Sequence, residues 1–407
     1  MSKVMEHPAV KTHHMLSAAA ALGGKMSTTT IQIPITNVFM DGDYTGAIEV
    51  GSQKTLCNVI LDTGSSTLAI DGHHYNVNTD KSAKITDIAQ EVGYADGSSW
   101  VGGVVTTDVT VGGQPLVLPQ VSVAVAYHET SSMFGKSQGI LGLAYTKLNN
   151  AFTMPGPTIP PKYTYNQIQA GHVTYVDPYF TELETAGLVA NKFAFYTKRS
   201  EVNMASKTPA TDPLNQGYLI LGGGEEQTQL YTGAFQVARV VDDLYYNVNL
   251  KSIVVGNAAP ILVSPPTKAS GNGSNAVVDS GTNGIYVEQK LFEAIAAKLS
   301  PGADSTLSDA MRAGYVPMDK LDLAAWPTIT FVLEGALGQD VSLAVAPETY
   351  WQTNSPKAGY ATAVIYGASG QGSGQAILGL PLLNNYYTVF DRSVDKGLGV
   401  VSFAQIK

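Results

Sequence analysis

Apolar and polar positions alternate with a period of two through most of this chain. Thr30-Ile-Gln-Ile-Pro-Ile-Thr36, residues 104–111, Val121-Ser-Val-Ala-Val-Ala126 and Thr328-Ile-Thr-Phe-Val-Leu333 alternate or run apolar, are rich in β-branched residues and end at Gly, Asp or Pro. Each predicts a strand. The 41 glycines and 20 prolines supply turns between many short strands and argue against a parallel α/β sheet with long crossover helices. The predicted fold class is therefore all-β. Over 288–299, Leu291, Ile295 and Leu299 recur at i, i+4 on one face, and 178–189 repeats that spacing more weakly, so both predict surface helices laid on sheets. The polar, aperiodic, Pro-containing stretch at 199–216 predicts a linker between a first half at 28–198 and a second at 217–407, behind an N-terminal extension at 1–27. Residues 149–171, rich in Pro, Thr and Tyr, predict a long surface loop.

One apolar-acid-glycine signal occurs twice, as Val59-Ile-Leu-Asp62-Thr63-Gly64-Ser65 and as Val277-Val-Asp279-Ser280-Gly281-Thr282. Each copy is followed, at comparable distance, by the same tetrad, Ile140-Leu-Gly142-Leu143 and Ile377-Leu-Gly379-Leu380. The halves are otherwise dissimilar, so duplication followed by divergence explains the pattern better than chance. A carboxylate ending a buried strand is costly, and a glycine two positions later lets a second backbone approach it. Two half-sites predict one shared site. Two carboxylates at one point cannot both ionise comfortably, so they share a proton and titrate as a pair. The ionised member takes a proton from water while the protonated one hydrogen-bonds a carbonyl oxygen as it becomes tetrahedral. That suits amide hydrolysis with neither a covalent intermediate nor a metal.

Composition narrows the partners. At 407 residues, 44% apolar and 14% charged, the chain is globular and long enough for two ordinary domains. A net charge of -9 would repel a phosphate backbone, so no nucleic acid is expected. No apolar run approaches the roughly 18 residues that span a bilayer, so no membrane partner is expected either. The sole cysteine, Cys57, has no internal mate and points to a reducing compartment or a bacterial source. His13-His14 and His73-His74 lack the acids that complete a ligand shell, and the glycine runs at 222–224 and 367–374 lack the strand-to-helix setting of a phosphate loop. No metal and no cofactor is predicted.

From about Ile31 to the C-terminus these features resemble the pepsin-like aspartic peptidases, whose acid pair works by the shared-proton chemistry above. Besides the two motifs and tetrads, the resemblance rests on Tyr94-Ala95-Asp96-Gly97-Ser98, on Leu230-Tyr-Thr-Gly-Ala-Phe235, on Trp326-Pro327 and on Tyr386-Tyr-Thr-Val-Phe-Asp-Arg392. It implies a bilobal acid protease fold of two pseudo-symmetric β lobes with a few short helices. Asp62 and Asp279 match the catalytic dyad; Ser65 and Thr282 match hydroxyls that hold the outer carboxylate oxygens; Thr63 and Ser280 match the pair that interlocks the two loops. Gly64 and Gly281 supply close backbone approach. Tyr94, Asp96 and Gly97 match the flap that closes over bound peptide, the Asp-Gly pair being itself a hairpin signal. The chain departs from the family where Ala69 replaces the tryptophan that partners the flap tyrosine, where Ala95 replaces a flap glycine, where Ser98-Ser-Trp100 holds one extra residue, and at Asn283. Trp100, beside the flap, is a further candidate for substrate contact.

The implied activity is an aspartic endopeptidase with an acidic optimum, cutting peptide or unfolded protein between apolar residues as a monomer. Ile60, Met133, Phe134 and Ile140 are the first-lobe pocket candidates, and Val277 with Tyr231 the second-lobe ones. The competing reading is a catalytically inert pepsin-like inhibitor or binding protein, although this chain keeps both acids, the flap tyrosine and the motif glycines. The short stretch before Ile31 and the lone cysteine resemble the bacterial, shewasin-like branch, made without a zymogen stage. That implies a cytoplasmic enzyme, or a periplasmic or secreted one if the Ala-rich N-terminal segment is a signal peptide.

Overall fold

The computed structural model describes residues 29–37, 44–94, 97–111, 116–130, 134–135, 137–161, 163–198, 212–266, 273–300, 302, 305–368 and 374–407. The predicted N-terminal extension and most of the predicted linker lie outside these residues. The fold is mostly β, with a few short helices. Its largest sheet has 15 strands and passes through both halves of the chain. Ile31–Asn37 pairs with Gln216–Leu221, which pairs with Lys192–Tyr196, which pairs in turn with Tyr386–Asp391 near the C-terminus. The halves thus share a sheet rather than meeting only at a linker.

Ile31–Asn37 buries one face through Ile31, Ile33 and Ile35, whereas Ser99–Val111 and Val117–Thr130 bury both faces at Val104 and Val105 and at Val123, Ala124, Val125 and Ala126. Ser99–Val111 and Val117–Thr130 extend beyond their apolar cores because they pair with each other along almost their whole length, from Ser99 opposite Thr130 to Thr110 opposite Val117. In the second half, Leu250–Val255, Ile329–Glu334 and Asp340–Val345 stack in a four-stranded sheet. The helix Gln289–Leu299 buries Leu291, Phe292, Ile295, Ala296 and Leu299, the face expected from the sequence. Tyr179–Thr185 is helical and buries Tyr179, Phe180 and Leu183.

Residues 149–171 are not a surface loop. They contain the strand Asn150–Thr153, which pairs with His172–Tyr175 and with Ile88 and Ala89, and the helix Tyr165–Gln169. Met154 and Ile168 pack with Ala89 and Val101 in a small core of their own. Apolar residues spaced irregularly among prolines leave no period to read, yet tertiary packing uses each of them.

Buried Asp80 and half-buried Glu182 make opposite contributions to the scaffold's pH response. Burial opposes the charge of Asp80, but hydrogen bonds from Thr107, Tyr75, Ser52 and Ser82 outweigh it and hold this carboxyl below the usual range. Its contribution is present above the unfolded pKa and is lost as pH falls. Glu182 has the opposite sign. Burial pushes its carboxyl up to about 7, against the partial relief of a bond from the Ser122 N–H at 3.1 Å. The folded protein therefore holds a proton that the unfolded chain releases, and stability declines as pH rises from the unfolded value toward 7. Glu182→Gln should be more stable than the parent at pH 8 by about 1–2 kcal/mol, with little difference below pH 5. Urea unfolding at the two pH values reads this directly; an equal effect at both would show that Glu182 does not ionise in this window.

Candidate active site

The doubled motif folds the same way twice. Thr55–Asp62 runs parallel to Gly139–Gly142, with Asp62 opposite Gly142, while Leu68–Asp71 flanks the same tetrad strand antiparallel. In the second half Ala276–Val278 runs parallel to Ala376–Leu378, flanked antiparallel by Ile285–Glu288. The glycines of the tetrads now have a reason. A Cβ on Gly142 would sit 2.5 Å from the Ser66 backbone, and one on Gly379 would overlap the carbonyl oxygens of Gly284 and Thr282. Each tetrad strand thus threads beneath its motif loop, which only glycine permits. Leu143 N–H donates to Asp62 O at 2.7 Å, and Leu380 N–H to Thr282 O at 2.9 Å.

The two loops then lock together. Thr63 N–H donates to Ser280 Oγ at 3.0 Å and Ser280 N–H to Thr63 Oγ1 at 2.9 Å. The hydroxyls donate onward, Thr63 to Val278 O at 3.0 Å and Ser280 to Leu61 O at 2.8 Å. Four bonds related by near-symmetry tie the ends of the acid-bearing strands. Gly64 N–H donates to Asp62 Oδ1 at 2.7 Å and Gly281 N–H to Asp279 Oδ1 at 2.9 Å. Each glycine also faces the opposite acid: a Cβ on Gly64 would lie 2.6–2.7 Å from the carboxylate of Asp279, and one on Gly281 would lie 2.5 Å from Cγ of Asp62. Both carboxyls therefore converge on one point.

Residues 43–406 match the family described as eukaryotic aspartyl protease. The chain belongs to that family. It is 27% identical to pepsin B of Canis lupus familiaris over 89% of this chain and 82% of the relative. It is 27% identical to cathepsin D of Gallus gallus over 88% and 80%, and 24% identical to gastricsin of Homo sapiens over 87% and 80%. Like its relatives, the protein is a pepsin-like aspartic endopeptidase of bilobal, mostly β architecture.

Within this aspartyl protease the acids are 5% and 9% exposed, and burial is the main cause that lifts the Asp62 carboxyl well above its usual value. The Asp279 charge and a hydrogen bond with Asp279 raise it further, against donors at Ser65 and Gly64. Support of the outer oxygens is unequal. Thr282 Oγ1 donates to Asp279 Oδ2 at 2.6 Å, whereas the buried Ser65 Oγ acts on Asp62 without reaching hydrogen-bonding geometry with any neighbour.

Lys84–Gly93 and Ser99–Val111 form a hairpin, with Gly93 opposite Ser99. Tyr94 N–H donates to Ser98 O at 2.8 Å and Gly97 N–H, from a left-handed residue at φ 86°, to Tyr94 O at 3.0 Å. Asp96 and Met133 lie outside the described residues. Ile60, Phe134 and Ile140 gather in one cluster with Tyr94 and Trp100. Val277 lies two residues before the second acid, on the strand Ala276–Val278. Tyr231 does not join them: it lies on the outermost strand of the shared sheet, stacks on Tyr387 at 5.3 Å between centroids, and donates to Glu225 O at 2.7 Å.

Three further residues make contacts that the local pattern does not reveal. The Tyr245 phenol is pushed up by burial and then by the charges of Asp279 and Asp62. Arg392 is buried with no carboxylate partner among the described residues; it donates to Leu143 O, to Ala144 O at 2.9 Å and to Tyr246 Oη at 2.8 Å, and lies 4.4 Å from the Tyr145 ring centroid. Carbonyls and aromatic faces stabilise this cation, which ties the C-terminal segment to the first tetrad. Gln90, 1% exposed, donates from the strand Lys84–Gly93 to Asn149 Oδ1 at 2.8 Å, and Thr67 Oγ1 donates to the same oxygen at 2.6 Å.

Proposed function

We propose that Asp62 and Asp279 are the catalytic dyad and that the enzyme cleaves extended polypeptide between apolar residues in acid. The reciprocal approach of Gly64 to Asp279 and of Gly281 to Asp62 carries this reading. One proton held between the two acids leaves one oxygen basic enough to deprotonate a water and one O–H able to donate to the scissile carbonyl. Backbone N–H groups of Gly64 and Gly281 and the Thr282 hydroxyl fix the carboxyl planes while charge moves between them. Tyr94 and Gly97 belong to the flap that shuts water out once peptide is bound. Ile60, Phe134 and Ile140 offer the first-lobe pocket, and Val277 with Tyr245 the second. Folded substrates resist unless they present a loose segment that lies along the cleft as a strand. Cys57 as sole cysteine supports a disulfide-free, shewasin-like branch.

Activity requires the shared proton, so turnover declines toward neutral pH as that proton is lost. The test is a peptide with bulky apolar residues on both sides of one bond, incubated with the purified protein at about pH 4 and at neutral pH. Cleavage at that bond in acid, blocked by a statine-type transition-state mimic and weak at neutral pH, is expected. No cleavage at any pH would overturn the proposal in favour of an inert inhibitor or binding protein.

A further inference from the structure

The indole of Trp100 is fully buried, and a buried indole N–H with no acceptor is costly. Its acceptor is the flap tyrosine: Trp100 Nε1 donates to Tyr94 Oη at 3.3 Å. The ring packs in a cluster with Ala69, Ala124 and Ala126. Ala69 pairs with Ala124 on one side and Ile140 on the other. Three small side chains thus leave the space that one large ring fills, and a bulky residue at 69 would compete for it. Trp100 stands opposite Val92 on the return strand of the hairpin, and Tyr94 is tied to the same turn by its bonds with Ser98 and Gly97. Phenol, donor and turn all belong to one hairpin.

We propose that Trp100 is a positioning residue of the flap, holding the Tyr94 phenol from the flap's own return strand so that tyrosine and latch reach the dyad as one preset unit. The proposal rests on reading Asp62 and Asp279 as the dyad. A donor on the body of the enzyme would release the phenol whenever the flap lifts. A donor on the hairpin does not. Rotating Tyr94 outward by itself strands the Trp100 N–H in an apolar cluster, so the inward rotamer persists in open and closed states alike. Closure then spends no binding energy on ordering this side chain.

Two variants and one spectrum test it. Trp100→Phe keeps a ring in the cluster and removes the N–H; kcat/KM should fall roughly three- to tenfold. Tyr94→Phe should fall by at least as much, and the double variant should be no worse than the worse single one, because both delete the same bond. Losses that multiply in the double variant, or an unchanged Trp100→Phe, would overturn the proposal. The chain has 3 tryptophans, so its indole N–H signals are few enough to follow by proton–nitrogen NMR. Tyr94→Phe should move one of them and speed its exchange with solvent, whereas three unmoved signals would contradict the latch. This readout needs no turnover, so it separates a failed latch from a failed dyad.

Discussion

Asp279→Asn is expected to leave a folded protein whose peptide turnover is lower by roughly 10⁴-fold. The asparagine carbonyl still accepts the Gly281 N–H, so the loop geometry survives, but no shared proton remains to move between base and acid. Asp62→Asn should lose as much, and the double variant hardly more, because the two acids act as one unit. Removing either carboxyl also removes a charge disfavoured by burial, so these variants should unfold at an equal or higher temperature near neutral pH. Single-turnover kinetics on the purified variants, with thermal unfolding beside them, measure both effects. A variant retaining a tenth of parental turnover would show that the reaction does not need the pair.

Gly281→Ala tests geometry instead of chemistry. Gly281 is not in the left-handed region, so alanine costs little in backbone conformation. Its methyl group, however, would stand inside van der Waals distance of the Asp62 carboxyl. The carboxyl must turn or the loops must part, and the four-bond lock between Thr63 and Ser280 resists parting. Displacement of about 1 Å at a reacting group is enough for a loss near 100-fold in kcat/KM. Overpacking should lower stability by about 1–3 kcal/mol as well. Gly64→Ala should behave alike through Asp279. Steady-state kinetics and urea unfolding check the pair; near-parental activity in both would mean that the acids do not converge as described.

How much of this was legible in the sequence follows from where the causes lie. The acid motifs and tetrads stand out because one local requirement, a parallel strand passing beneath a tight loop, fixes several residues in a row at each copy. The helix at 289–299 was legible because period reports burial on one face, and the long strands because their β-branched runs end at Gly, Asp or Pro. Other features depend on residues far apart in the chain. Trp100 replaces a missing ring at Ala69 only because the strand 99–111 folds back over it. Tyr245 feels the charges of both acids, which come from opposite halves, and Tyr231, in a recognisable motif, is carried to the far edge of the shared sheet. Arg392 ends a readable motif, yet its partners at Leu143 and Ala144 lie in the other half. Pairwise approach between distant segments leaves no period behind.

The proposed hydrolysis requires two acids from opposite halves to hold one proton in common. Selective carbon-13 labelling of aspartate, with the side-chain carboxyl signals of Asp62 and Asp279 followed by NMR as the intact protein is titrated, reads that proton where it resides. One proton retained by the pair well above the ordinary aspartate range, with both signals responding to its loss, is the predicted result. Two carboxyls that ionise independently, each near the ordinary value, would contradict it.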